Sequence, residues 1–186
     1  TAGAFWRKPQ GPHDPGIKDK MDHPATQLSW DDARAYCQWA GKKLPTDAQW
    51  EWAARGGDDA LYPWGDAAPD VSAPRANYYQ GLFPYKDDAT DGYSGTAPVA
   101  SYAPNTYGLY DMAGNVWEWC ADGYDEQTGN VVTQGQMTNS TQRTMRGGSY
   151  LCTDQYCSGY RNDRRMGSSA DTGLDHTGCR CVKMLE

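Results

Sequence analysis

The sequence predicts a single α+β domain with little regular secondary structure, and three observations predict it. Its 186 residues suit one domain, long enough to bury a core without disulfide staples. Eight Trp and 13 Tyr stand against 2 Phe, and 21 Gly and 11 Pro punctuate the chain. That inventory describes loops pinned by amphipathic rings rather than long helices. Only two segments carry both helix start and helix stop signals. Mean hydropathy is −0.86, which would suit disorder, but eight tryptophans supply apolar surface that a disordered chain lacks.

The first helix opens on a capping box, Ser29 with Asp32, carries Ala33, Tyr36, Cys37 and Ala40 at i, i+3, i+4 and i+7, and closes at Gly41. Thr46 with Gln49 repeats the device for a second helix bearing Trp50, Ala53 and Ala54 before Gly56. Between Gly57 and about Gln142 the chain reads mainly as loop, broken by Pro63-Trp64-Gly65, Asp91-Gly92, Ala103-Pro104-Asn105 and Gly114-Asn115. So long an irregular stretch needs an organiser, either a function or a bound ion. Short strands are expected at Thr144–Leu151 and Gly178–Leu185, with a further one near Trp117–Cys120.

Composition excludes some function classes. A net charge of −7 without a Lys/Arg run argues against nucleic acid as a partner, because phosphate binding needs clustered positive charge. No apolar run approaches the roughly 20 residues of a membrane helix. Thr1 to Trp6 lack the charged-then-apolar layout of a signal peptide, so a cytoplasmic or already processed chain, acting as a monomer, is expected.

Many ordered motifs carry a resemblance. Asp22-His23-Pro24, Ser29-Trp30-Asp31-Asp32-Ala33, Gly41-Lys42-Lys43-Leu44-Pro45-Thr46, Tyr62-Pro63-Trp64-Gly65, Tyr107-Gly108-Leu109-Tyr110-Asp111-Met112-Ala113-Gly114-Asn115-Val116-Trp117-Glu118-Trp119, Arg146-Gly147-Gly148-Ser149-Tyr150 and Arg180-Cys181-Val182 together resemble the formylglycine-generating enzyme (sulfatase-modifying factor) family. The resemblance spans nearly the whole chain and implies a C-type-lectin-like variant fold. It also implies that a β-rich stretch found at the start of family members is missing here. The same fold serves iron-dependent sulfoxide synthases, non-catalytic paralogues and diversified ligand-binding proteins, so activity rests on individual residues.

Cys152 and Cys157 match the family's two active-site cysteines. Five residues can turn and set two sulfurs face to face, and two thiolates suit Cu(I); a disulfide closing a small loop is the other reading of the spacing. The resemblance implies copper- and O2-dependent oxidation of a peptidyl cysteine to formylglycine in a sulfatase-type Cys-x-Pro-x-Arg segment, with the metal at the mouth of a crevice. Ser149 and Trp117 match residues lining the oxygen pocket, although a hydroxyl bonding to backbone and a packed indole are equally ordinary. Tyr156, Arg161 and Arg165 are expected to meet the peptide; for Arg161, Arg164 and Arg165 a solvated ion-pair network is the alternative.

Two calcium sites follow from the resemblance as well. One takes Asn77 and Asp91 with the carbonyls of Tyr78 and Tyr93. The other takes Asp111 and Glu118 with the carbonyls of Gly114 and Val116. Calcium wants six to eight oxygens of these kinds, but Asn, Asp and Gly also favour turns unaided. Cys37 reads as a buried thiol on a helix face. Cys181 matches a family cysteine that pairs, in some members, with one in the second helix; Ala54 stands there, so that bridge is expected to be absent. Cys179 and Cys181 read as alternating on a strand, facing opposite ways, and Cys120 has no counterpart. His13, His23 and His176 are scattered, with no His-x3-His-x-Glu iron pattern. Asn162-Asp163-Arg164, Ala170 and Cys179 depart from the family pattern, and all lie between Tyr150 and Cys181. Those departures support a second reading, a non-catalytic ligand-binding protein whose C-terminal segment is diversified.

Overall fold

The computed structural model describes residues 1–138 and 141–183. Both capping boxes form. In α1 (Trp30–Trp39) the Ser29 hydroxyl accepts from Asp32 N and the Asp32 carboxylate accepts from Ser29 N, each at 3.1 Å. In α2 (Asp47–Arg55) Thr46 and Gln49 do the same, and Gly56 ends the helix in the left-handed region. The buried stripe of α1 is Trp30, Ala33 and Cys37, whereas Tyr36 is exposed. The sequence stripe is therefore rotated by about one residue toward Trp30.

A hairpin of two short strands, β1 (Gly81–Leu82) and β2 (Lys86–Asp87), stands apart from the main sheet. The main sheet centres on β3 (Trp117–Tyr124), which pairs antiparallel with β5 (Gln142–Arg146) along one edge. Its other edge is shared by β4 (Val131–Val132), antiparallel, and β7 (Thr177–Gly178), parallel. β6 (Arg165–Ser168) continues beyond β5. This is a mixed α+β architecture, low in helix, of the C-type-lectin-like kind.

Three strand expectations change. The strand near Trp117–Cys120 runs on to Tyr124, because a bulge between Trp119 and Gly123 lets pairing resume. The one at Thr144–Leu151 starts earlier and stops at Arg146, since Gly147 and Gly148 turn the chain at positive φ. The one at Gly178–Leu185 reduces to the end of β7 and an isolated bridge from Val182 to Lys43; positions 184 and 185 lie outside the described residues.

Indole N–H groups tie the elements together. Trp30 donates to Cys120 O (2.8 Å), Trp119 to Leu28 O (2.9 Å) and Trp50 to the Glu118 carboxylate (2.6 Å). Each buries a large ring while meeting its polar atom's need. The Cys37 and Cys181 expectations are corrected. The two are joined by a disulfide across 144 residues, so α1, not the second helix, supplies the partner and Ala54 is irrelevant to it. Cys120 and Cys179 remain thiols, and burial pushes both upward, Cys179 to about 12. Among the described residues no helix is long and apolar enough to cross a membrane.

Candidate functional site

The turn that delivers the cysteines starts at the end of β5. Arg146 is fully buried, and its guanidinium spans Asp47 (2.5 and 2.7 Å) and Glu51 (2.5 Å) of α2 as well as the carbonyls of Asn162 and Arg164. Burial pulls the Asp47 carboxyl upward, but hydrogen bonds and charge from Arg146, with Arg165 behind it, more than reverse this and leave it below the ordinary Asp value. From that anchor the chain passes Gly147 and Gly148. A side chain at Gly148 would strike the backbone of Gly159 and Tyr160, and one at Gly159 would strike the Trp117 ring. Only glycine allows these segments to lie so close.

Ser149 follows, wholly buried; its hydroxyl accepts from Leu151 N (3.2 Å) and its carbonyl from Cys152 N (2.9 Å). Thr153 then shapes the loop, its hydroxyl accepting from Gln155 and Tyr156 N (both 3.1 Å) and its carbonyl from Cys157 and Ser158 N. This turn sets the Cα atoms of Cys152 and Cys157 5.3 Å apart, with their sulfurs bonded. Cys152 is buried in the same apolar cluster as Trp117, Tyr160 and Tyr78, and Cys157 packs on the edge of that cluster, partly exposed. Tyr156 is 74% exposed and stacks on Phe83 of the hairpin, with ring centres 5.0 Å apart. Trp117, Ser149, Cys152, Cys157 and Tyr156 thus belong to one place.

The arginines go elsewhere. Arg165 pairs with Asp47 and Glu51 at 3.1 Å, inside the network that anchors Arg146. Arg161 pairs with Asp163 at the surface. The network of Asp47, Glu51 and Arg146 escaped sequence reasoning, because Arg146 lies about a hundred residues from both acids and only the fold brings it to them. Their spacing at i and i+4 on α2 was the available signal.

Asn115 couples the cysteine turn to the loops. Its N donates to Asn77 O (2.8 Å), its O accepts from Tyr150 N (3.0 Å), and its side chain bonds both ways with Ala97. Asn77 donates its Nδ2 to Gly95 O, while its buried Oδ1 has no protein partner. Asp91 accepts from Tyr93 N (3.0 Å) and from the Tyr102 hydroxyl (3.1 Å). An orphaned buried acceptor on the loop that also bears Tyr78 fits a hard cation.

The second group differs. Arg180 holds both oxygens of Glu118 (2.5 and 2.7 Å) and donates to the carbonyls of Tyr110 and Asp111. The positive charge this loop needs is already supplied, and a divalent ion there would compete with a guanidinium. Burial raises the Asp111 carboxyl despite a bond from Ala100 N. For copper, the two sulfurs fit one soft ion only after their bond is reduced.

Cavities of about 610, 250 and 920 Å³ indent the surface, and neither cysteine lines any of them. The smallest, with His23, Thr96, Tyr150 and Asp175 in its walls, adjoins the Ser149–Tyr150 turn. Within the cysteine loop Cys152 and Thr153 are buried, residues 154–156 are exposed and Cys157 is half-buried.

A loop-rich C-type-lectin-like scaffold that brings one buried and one half-buried cysteine together is the class that fold and site define. Within it, the chain belongs to the sulfatase-modifying factor enzyme 1-like domain family, whose model matches residues 1–185. It is 47% identical to the formylglycine-generating enzyme of Thermomonospora curvata over 187 residues, 97% of this chain and 61% of that protein. It is 43% identical to the inactive C-alpha-formylglycine-generating enzyme 2 of Bos taurus over 183 residues, 96% of this chain and 56% of that one. Treponema denticola variable protein 1 shares the fold, with a TM-score of 0.65 and 23% identity over 85% of this chain and 70% of that one. The chain spans about three fifths of the length of these two curated relatives.

Proposed function

We propose that this chain carries the oxidising centre of a formylglycine-generating enzyme, which converts the cysteine of a sulfatase-type Cys-x-Pro-x-Arg segment to formylglycine. The observation that supports it is the loop bringing Cys152 and Cys157 together beside Trp117 and Ser149, in a chain 47% identical to an enzyme of that name. Balanced, peptidyl cysteine, dioxygen and two reducing equivalents give the aldehyde, hydrogen sulfide and water. An external thiol first reduces the Cys152–Cys157 bond, and the two thiolates would then hold Cu(I). When bound, copper supplies the one-electron chemistry toward dioxygen that side chains lack.

The residues supply position and exclusion. Cys157, partly exposed, faces the arriving peptide, while buried Cys152 anchors the inner side of the pair. Trp117 and Tyr160 close that inner side against water. Ser149 holds the turn through Leu151 N, and the exposed Tyr156 ring offers a face to the proline-bearing peptide. Calcium bound by Asn77 and Asp91 would stiffen the loop that reaches Cys152 O through Tyr79 N (3.1 Å).

A binding-only module on the same fold is the second reading. The bonded state of the pair and the 43% identity to a relative named inactive favour it. The test is incubation of the reduced chain with Cu(I), oxygen, a thiol and a Cys-x-Pro-x-Arg peptide, followed by peptide mass spectrometry. Aldehyde formation that vanishes in Cys157→Ser supports the oxidase. Peptide that binds the copper-loaded chain yet keeps its thiol supports the binding module.

A further inference from the structure

Both ends of the cysteine loop are held by a single neighbouring segment, Tyr79–Phe83. At one end, Tyr79 N donates to Cys152 O (3.1 Å). At the other, the Phe83 ring stacks on Tyr156, the residue before Cys157, at 5.0 Å between centres and 18° between planes. The Tyr79 ring meets Phe83 edge-on at 5.1 Å, which closes the clamp. The segment is itself fixed: Gln80 O accepts from Asp88 N (2.6 Å), the Asp87 carboxylate accepts from Gln80 N (3.3 Å), and Gln80 Oε1 accepts from Asp91 N (2.8 Å).

We propose that Phe83 is a positioning residue for the cysteine pair, keeping Cys157 within reach of Cys152 when the bond between them is open. This rests on the oxidase reading for its purpose, since a pair that must open, hold an ion and close again needs sulfurs that do not drift. The sulfur–sulfur bond and the ring stack restrict the same short loop, so each lowers the entropic cost of making the other. Reduction therefore weakens the stack, and loss of the stack favours reduction. The coupling cannot exceed the worth of one aromatic pair.

The test is a glutathione titration of the full chain. In it, the protein dithiol gives two electrons and two protons to glutathione disulfide, forming the Cys152–Cys157 bond and two glutathione thiols. Mass spectrometry of the Cys152–Cys157 peptide reads the ratio separately from Cys37–Cys181. Phe83→Ala is expected to shift the equilibrium about 2–10-fold toward the dithiol, about 10–30 mV at 29.6 mV per decade. Phe83→Leu, which keeps apolar bulk without the stack, shifts it the same way, and Phe83→Tyr restores the wild-type ratio. Tyr156→Ala matches Phe83→Ala, and the double variant adds nothing further. Folded Phe83→Ala and Phe83→Leu variants with an unchanged ratio would overturn the proposal, as would additive effects of Phe83→Ala and Tyr156→Ala. The titration involves no copper and no peptide, so its failure is separate from failure of the oxidase reading.

Discussion

Arg146→Met tests the anchor on which the cysteine turn is built. The wild-type guanidinium, itself fully buried, makes ion-pair contacts to buried Asp47 and part-buried Glu51 and two bonds to carbonyls. Removing one partner of such a buried group costs about 3–5 kcal/mol, because the other charge stays behind. Arg165 at 3.1 Å from both acids, and Arg55 on Glu51, keep the loss toward the lower end. Against a total stability of about 5–15 kcal/mol, the variant still folds, with its urea midpoint lowered by about 1–2 M.

The pH dependence supplies the sign. In the wild type the folded Asp47 carboxyl lies below its usual value, so its contribution is complete above the unfolded pKa of about 3.9 and fades only as pH falls through the folded value. Without Arg146 its hydrogen bonds and charge are lost, only Arg165 opposes burial, and the folded value rises above that of the wild type. The deficit of the variant is then largest at neutral pH and shrinks as acid protonates Asp47. Urea unfolding of both proteins at pH 7.5 and pH 5.0 should show the gap narrowing, and Asp47→Asn added to Arg146→Met should recover about 1 kcal/mol or more at pH 7.5. A variant within about 1 kcal/mol of wild type at both pH values would show that Arg146 does not anchor the turn.

Two further outcomes follow from the loops. Cys181→Ser opens a loop of 144 residues and lowers stability by about 5 kcal/mol by the chain-entropy formula, read by urea unfolding; an unchanged midpoint would show that the bridge constrains nothing. Calcium at about a hundred times its dissociation constant should raise the melting temperature by about 5–10 °C, and Asn77→Ala should remove that rise, whereas a melting curve indifferent to calcium would count against Asn77 as a ligand.

Local signals were the legible ones. Ser29–Asp32 and Thr46–Gln49 each lie within four residues, so both helix starts could be read directly from the sequence. The turn around Ser149, Cys152 and Cys157 is likewise short enough for its spacing to show that the sulfurs meet. What failed was long-range. A cysteine on the apolar face of α1 looks the same whether a core or another cysteine covers it, and Cys181 is 144 residues away. Arg165 looked like a surface cation because nothing local shows that β6 lies beside β5 and turns its side chain toward α2. Phe83 carried no signal of its own, since its partner Tyr156 is brought to it only by the fold. Arg180 was read as part of a motif, and its hold on Glu118 depends on β7 pairing with β3.

Native mass spectrometry of the reduced chain, titrated anaerobically with Cu(I), tests most directly whether Cys152 and Cys157 act together. A one-to-one copper adduct is expected that survives in Cys120→Ser and Cys179→Ser and is lost in both Cys152→Ser and Cys157→Ser. Absence of the adduct from reduced wild-type protein, or its persistence at full strength in Cys157→Ser, would show that the two do not act together.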